Sequence, residues 1–203
     1  MIGRLRGLGG AATLASIIAF CAPTPGDAAI VARSGPDGLV TYPDAAATCG
    51  SRPDQQFVQC VSQTSVLAAA ARRARTDHKA LLVSVGADWC IWCHVIARYF
   101  DGWTDDRIEP PAAGTRADAL DLAAFMRDSF VVVELNTEAP DISDALAAIR
   151  VDPRTINGLP SFYILKSSGP RFVDMERAEL PKRGDFRGYN RKAVLGLLRA
   201  ALE

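Results

Sequence analysis

The feature that most constrains this chain is a buried-strand pattern that stops at a glycine and runs almost at once into two cysteines three residues apart. Ala80 to Gly86 (ALLVSVG) is a near-continuous apolar run. Such a run suits a strand covered on both faces, so the sheet it belongs to needs helices above and below. After Ala87 and Asp88 comes Trp89-Cys90-Ile91-Trp92-Cys93-His94, and a helix is expected from Cys90 to about Phe100.

The rest of the chain repeats the alternation. A helix is expected over Thr64 to Arg75, with Thr64 or Ser65 as its cap. Further helices are read at 118–128 and 141–150, where Ile142, Leu146 and Ile149 fall at helical spacing. Phe130 to Leu135 is a second buried strand, and Pro160 leads into a third at Ser161 to Leu165. A turn at 167–170 precedes an edge strand at 171–175, and Asn190 can cap a last helix ending near Leu202. This order describes an α/β fold, a central mixed β-sheet flanked by helices. Residues 29–63, rich in Gly, Pro, Ser, Asp and Gln, read as an irregular N-terminal extension ahead of a domain over 64–203. Residues 101–117 contain Gly102, Pro110, Pro111 and Gly114 and read as a loop or insertion. It is either tolerated loop growth or a rim that narrows access. Its acids Asp101, Asp105 and Asp106 lack calcium-loop spacing and are expected at the surface. Arg72, Arg73 and Arg75 read as a solvated helix face, and His78, in a polar turn, is given no role.

Composition narrows the function. Lys plus Arg and Asp plus Glu number 23 each, which argues against a nucleic-acid partner held by a basic field. The five cysteines are an odd number. The N-terminus explains one of them. Arg4 and Arg6 precede an uncharged stretch with its apolar centre at Ala11 to Ala22, and small residues follow at Gly26, Ala28 and Ala29. That is the layout of a signal peptide over residues 1–28. Cleavage would remove Cys21 and leave 21 basic and 22 acidic residues, a net charge of −1. The expected location is the periplasm, with no stable membrane insertion after cleavage. A lipoprotein acylated at Cys21 is the alternative, although Phe20 stands where a small residue is wanted. Four cysteines then remain in two local pairs, in a compartment where disulfides persist.

Cys90 and Cys93, at i and i+3, are close enough to join as a disulfide at the start of a helix. The unsatisfied N–H groups and dipole there favour a thiolate at Cys90, the attacking sulfur, with Cys93 as the resolving thiol. Exchange of this kind needs no cofactor. Leu81 to Cys93 resembles the strand and active-site turn of the thioredoxin superfamily. Ile156-Asn157-Gly158-Leu159-Pro160-Ser161 resembles that family's cis-proline segment, with Pro160 67 residues beyond Cys93. The doublet of tryptophans before both cysteines is closest to an exported thioredoxin-like subgroup. The resemblance implies a thioredoxin fold and a thiol–disulfide oxidoreductase acting on cysteine-containing protein substrates, served by a membrane or soluble redox partner. It implies a reductant or relay rather than an oxidant. Trp89 and Trp92 would shape the surround, and the Leu159 backbone beside Pro160 would pair with a substrate strand.

One departure stands out. The family's buried acid six residues before the first cysteine is here Ser84, so the proton of Cys93 needs another acceptor, such as water, Asp88 or His94. His94 either tunes Cys90 or faces solvent. Cys49 and Cys60 read as a staple of the extension, with a second redox pair as the alternative. Competing readings are a binding module without turnover and, through Cys90-Ile91-Trp92-Cys93-His94 with Met175 as a second axial ligand, a c-type haem carrier. Metal-like spacing for a zinc site is absent.

Overall fold

The computed structural model describes residues 29–52, 55–105, 109–166, 168–181 and 188–203. The expected signal peptide, with Cys21, and the loop residue Asp106 lie outside the described residues. Six strands form one mixed sheet: β1 (Arg33–Ser34), β2 (Val40–Tyr42), β3 (Ala80–Gly86), β4 (Phe130–Asn136), β5 (Ser161–Lys166) and β6 (Gly169–Val173). Their order across the sheet is β1-β2-β4-β3-β5-β6. β2, β4 and β3 run parallel, while β1, β5 and β6 are antiparallel to their neighbours. Chain-distant strands thus become neighbours through helical crossovers, as parallel pairing requires.

Among the described residues six α-helices complete the architecture: α1 (Ala45–Cys49), α2 (Gln63–Thr76), α3 (Ile91–Phe100), α4 (Arg116–Ser129), α5 (Ile142–Ala148) and α6 (Arg191–Leu202). Alternation along the central strands sorts the core into two layers. Leu82 and Val132 point to one face and pack with Ile96, Tyr99, Leu122, Met126 and Leu198 of α3, α4 and α6. Leu81, Val83, Val131 and Val133 point to the other and pack with Val66, Leu67, Ala70 and Leu146 of α2 and α5. Both central strands are covered on both sides, as their apolar runs require. Among the described residues no helix is long and apolar enough to cross a membrane.

Three expectations need correction. The extension is not irregular. Val40–Tyr42 pairs in parallel register with Val131–Val133, so the sheet begins before residue 64. A strand of three residues is too short to show periodicity, but Leu39, Val40 and Tyr42 bury against the core. Helix α2 is capped by Ser62, whose Oγ accepts from the Ser65 N–H at 3.3 Å, rather than by Thr64 or Ser65. Asp101 is not a free surface acid. It caps α3 and pairs with Arg33 at 2.9 Å, its side chain 18% exposed. The arginines of α2 are exposed as expected, and Asn190 caps α6 by accepting from the Ala193 N–H.

Candidate functional site

The site grows out of the end of β3. The turn Ala87–Trp89 delivers Cys90 to the N-cap of α3, in extended backbone with φ −78° and ψ 99°. Cys90 is therefore the residue before the first helical turn, where orphaned N–H groups converge. Its Sγ accepts from the Cys93 N–H at 3.2 Å. Cys90 and Cys93 are joined as a disulfide, with Cα atoms 5.3 Å apart. Both are buried, Cys93 almost completely. The strand end must be glycine here. A Cβ at Gly86 would stand 2.9 Å from Cys93 Sγ and 2.5 Å from the Phe57 ring. That close approach lets the inner sulfur sit against the sheet.

Around the dithiol the surface is apolar and open. Trp89 is 69% exposed and Ile91 56%, while the Trp89 Nε1–H donates to Glu138 Oε1 at 3.1 Å. Trp92 turns inward and meets Tyr189 edge-on at 5.2 Å. Phe57, Ala87, Cys90 and Cys93 form a small cluster of their own, with Trp92 and Leu159 packed against it. The peptide bond between Leu159 and Pro160 is cis. The structure thus brings Trp92, Leu159, Cys90 and Cys93 together at one end of the sheet.

His94 neither points freely into solvent nor serves the cysteines directly. Its Nε2 lies 2.7 Å from the Asp88 carbonyl oxygen, so that nitrogen carries a proton and braces the turn ahead of Cys90. This leaves the haem reading without its axial nitrogen, and Met175 is buried within the core on a 3₁₀ turn (Met175–Ala178). No cluster of three metal-ligating side chains occurs among the described residues.

Three residues around the dithiol are not marked by any sequence motif. Ser84 pairs in register with Glu134 of β4. Both lie on the face that carries α3, one pleat behind Gly86. Glu134 is 4% exposed, and burial pushes its carboxyl up to about 8, with Arg33 opposing and Asp101 adding to the shift. A buried acid missing at position 84 is thus present one strand over. A crevice of about 220 Å³, lined also by His94, Arg98 and Gln56, reaches it. Phe57 covers the dithiol, and Gln63 holds Phe57's segment. The Gln63 Nε2 donates to the carbonyls of Val58 and Val61, and its Oε1 accepts from the Asn136 N–H at 2.8 Å. The one available signal was Glu134 standing alone as the charge inside FVVVEL. Cys49 and Cys60 are joined as well, with Cα atoms 5.9 Å apart, and line a crevice together with Phe57 and Asp88.

The parallel core of three strands, the cysteine pair at the β3–α3 junction and Pro160 immediately before antiparallel β5 decide the architecture. The fold is thioredoxin-like. Two solved structures are similar to it. One is the solution structure of a thioredoxin from Thermus thermophilus, 12% identical, covering 72% of this chain and 87% of that one with a TM-score of 0.35. The other is the crystal structure of chloroplastic thioredoxin z, 21% identical, covering 72% of this chain and 95% of that one with a TM-score of 0.32. The assignment rests on the strand order and not on these superpositions. No family model matches the chain, and no curated protein matches it in sequence.

Proposed function

We propose that this thioredoxin-like chain is an exported thiol–disulfide oxidoreductase acting on protein disulfides, as a reductant or relay. The observation that carries the reading is Cys90 at the N-cap of α3, disulfide-bonded to Cys93 beneath an exposed apolar rim. In the reduced protein the converging N–H groups and helix dipole stabilise a Cys90 thiolate. That thiolate attacks one sulfur of a partner disulfide. A Cys90–partner mixed disulfide forms, and the partner's other sulfur leaves as a thiolate. Cys93 then gives up its proton and attacks Cys90 Sγ, releasing the partner's second thiolate. The partner gains two electrons and the protein ends as the Cys90–Cys93 disulfide, to be reduced again by an upstream dithiol partner. Glu134, in register with Ser84 on the face that carries α3, is a candidate acceptor for the Cys93 proton, because its pKa sits near working pH. Leu159 offers backbone groups for a partner strand. Export is supported by the residue pattern of 1–28 and by two disulfides, which persist in oxidising compartments. Cys49–Cys60 serves as a staple.

The test is reduction of insulin by dithiothreitol. Wild type accelerates it, Cys90→Ser does not, and Cys93→Ser accumulates a covalent mixed disulfide with the substrate. Equal rates for wild type and Cys90→Ser would make the chain a binding module instead. A potential near about −270 mV marks a reductant, and one near about −120 mV would reverse the assigned direction.

A further inference from the structure

One cavity takes no part in the sulfur chemistry of the exchange. It is a groove of about 430 Å³ that begins at Leu159 and Pro160 and is closed on its far side by the turn after β6 and by Tyr189. Leu159 packs against the dithiol cluster and Tyr189 against Trp92, so the groove starts where the dithiol surface ends. Its charge is one-sided. Asp174, Glu176 and Glu179 line it, and no described lysine, arginine or histidine does. None of the three carboxylates has a side-chain ion pair or hydrogen bond among the described residues. They also crowd one another: Glu179 is raised by burial and then by Glu176 and Asp174. Glu176 Oε1 lies beside Gly158, two residues ahead of Pro160.

Tyr189 adds an independent sign. Its side chain is fully buried, and its hydroxyl, in the wall of the groove, has no hydrogen-bond partner among the described residues. It shares the groove wall with Glu176 and Glu179, whose charges, after burial, raise its pKa most. Buried hydroxyls are nearly always paired in folded proteins, and an unpaired one in the wall of an acidic groove suits an incoming donor.

We propose that this groove receives a lysine or arginine side chain of the partner protein, next to the cysteine that exchanges with Cys90. The inference rests on the exchange reading, because a partner strand laid along Leu159 is what brings the side chain there. The cationic head meets Glu176, Glu179 and the Tyr189 hydroxyl oxygen, all of which accept. The aliphatic stem lies along the apolar wall beside Pro160. With a neutral chain overall, this local field selects the partner.

Two arms of one experiment separate this groove from the exchange reading. In the first, oxidised full-length protein is titrated with fluorescent ten-residue peptides that carry serine in place of the reactive cysteine and differ only in flanking Lys/Arg, Gln or Glu. The basic peptide binds about tenfold more tightly than the acidic one. The ratio falls toward one at high salt and in the Glu176→Gln/Glu179→Gln variant, and Tyr189→Phe lowers it by a smaller factor. Equal affinities, no measurable binding of the basic peptide, or a ratio unchanged by the double substitution overturns the proposal. So does a preference that emerges only when Lys182, Arg183 and Arg187 are replaced by Gln, since the chain's own cations would then fill the groove. If the double variant is unfolded by circular dichroism, Asp174→Asn and the salt dependence of wild type decide in its place. In the second arm, the same peptides carry cysteine as a mixed disulfide and meet reduced protein. Failure to exchange above the Cys90→Ser level sinks the oxidoreductase reading and leaves the affinity ratio to judge the groove.

Discussion

Glu134 shows what a single buried residue does to both stability and chemistry. Its cross-strand partner is Ser84, and Arg33, which opposes the effect of burial, is itself paired with Asp101, which adds to it. Its pKa is raised from 4.5 in the unfolded chain to about 8 in the folded one. The folded protein therefore holds a proton that the unfolded chain has already released within this window. The associated stability is fully present below about pH 4.5 and is lost as pH rises through about 8. Urea denaturation of Glu134→Gln against wild type reads this directly. The advantage of the variant is larger at pH 9 than at pH 5, by on the order of a few kcal/mol. A difference independent of pH would mean that the carboxylate is charged when folded.

At the scale of elements, the segment between α1 and α2 determines how the dithiol is covered. It has little regular structure, yet Phe57 and Val58 are buried. Its position is fixed by the Gln63 side chain, by Asn136 Nδ2 donating to the Phe57 carbonyl at 3.0 Å, and by the Cys49–Cys60 disulfide. A loop of this length contributes about 3 kcal/mol in the chain-entropy account. The Cys49→Ala/Cys60→Ala variant should therefore unfold at lower denaturant concentration while still reducing insulin. Loss of turnover at unchanged stability would make the pair a second redox centre. Helix α3 contributes differently. It offers its N-terminus to Cys90 and buries Ile96, Tyr99 and Phe100 against the sheet, so the reactive end is anchored by apolar contacts a turn or more away.

For the whole molecule, the insertion at 101–117 is joined to the core by a buried cation. Arg191, at the start of α6, is 0% exposed. It pairs with Glu109 at 2.6 Å, donates to the carbonyls of Trp103 and Ala113, and lies 4.0 Å above the Tyr99 ring. The loop, α3 and α6 thereby meet at one guanidinium, and the insertion is part of the packed structure rather than added surface. Arg191→Met leaves Glu109 buried without its partner. It should cost about 3 kcal/mol or more in chemical denaturation, and a loss below ~1 kcal/mol would show that the loop packs without the pair.

The sequence alone determined the strands at 80–86, 130–135 and 161–165, each within a residue of its end, the helices around them, and the cysteine pair at a helix start. Each is written in local periodicity, glycine and caps, which neighbouring residues decide among themselves. Only the tertiary structure decided that Val40–Tyr42 joins the sheet, that Glu134 faces Ser84, and that Arg191 closes on Glu109. Each of these pairs lies far apart in the chain or depends on which face a strand presents. Burial and charge pairing between distant residues exist only once the layers have packed, so no window of sequence carries them.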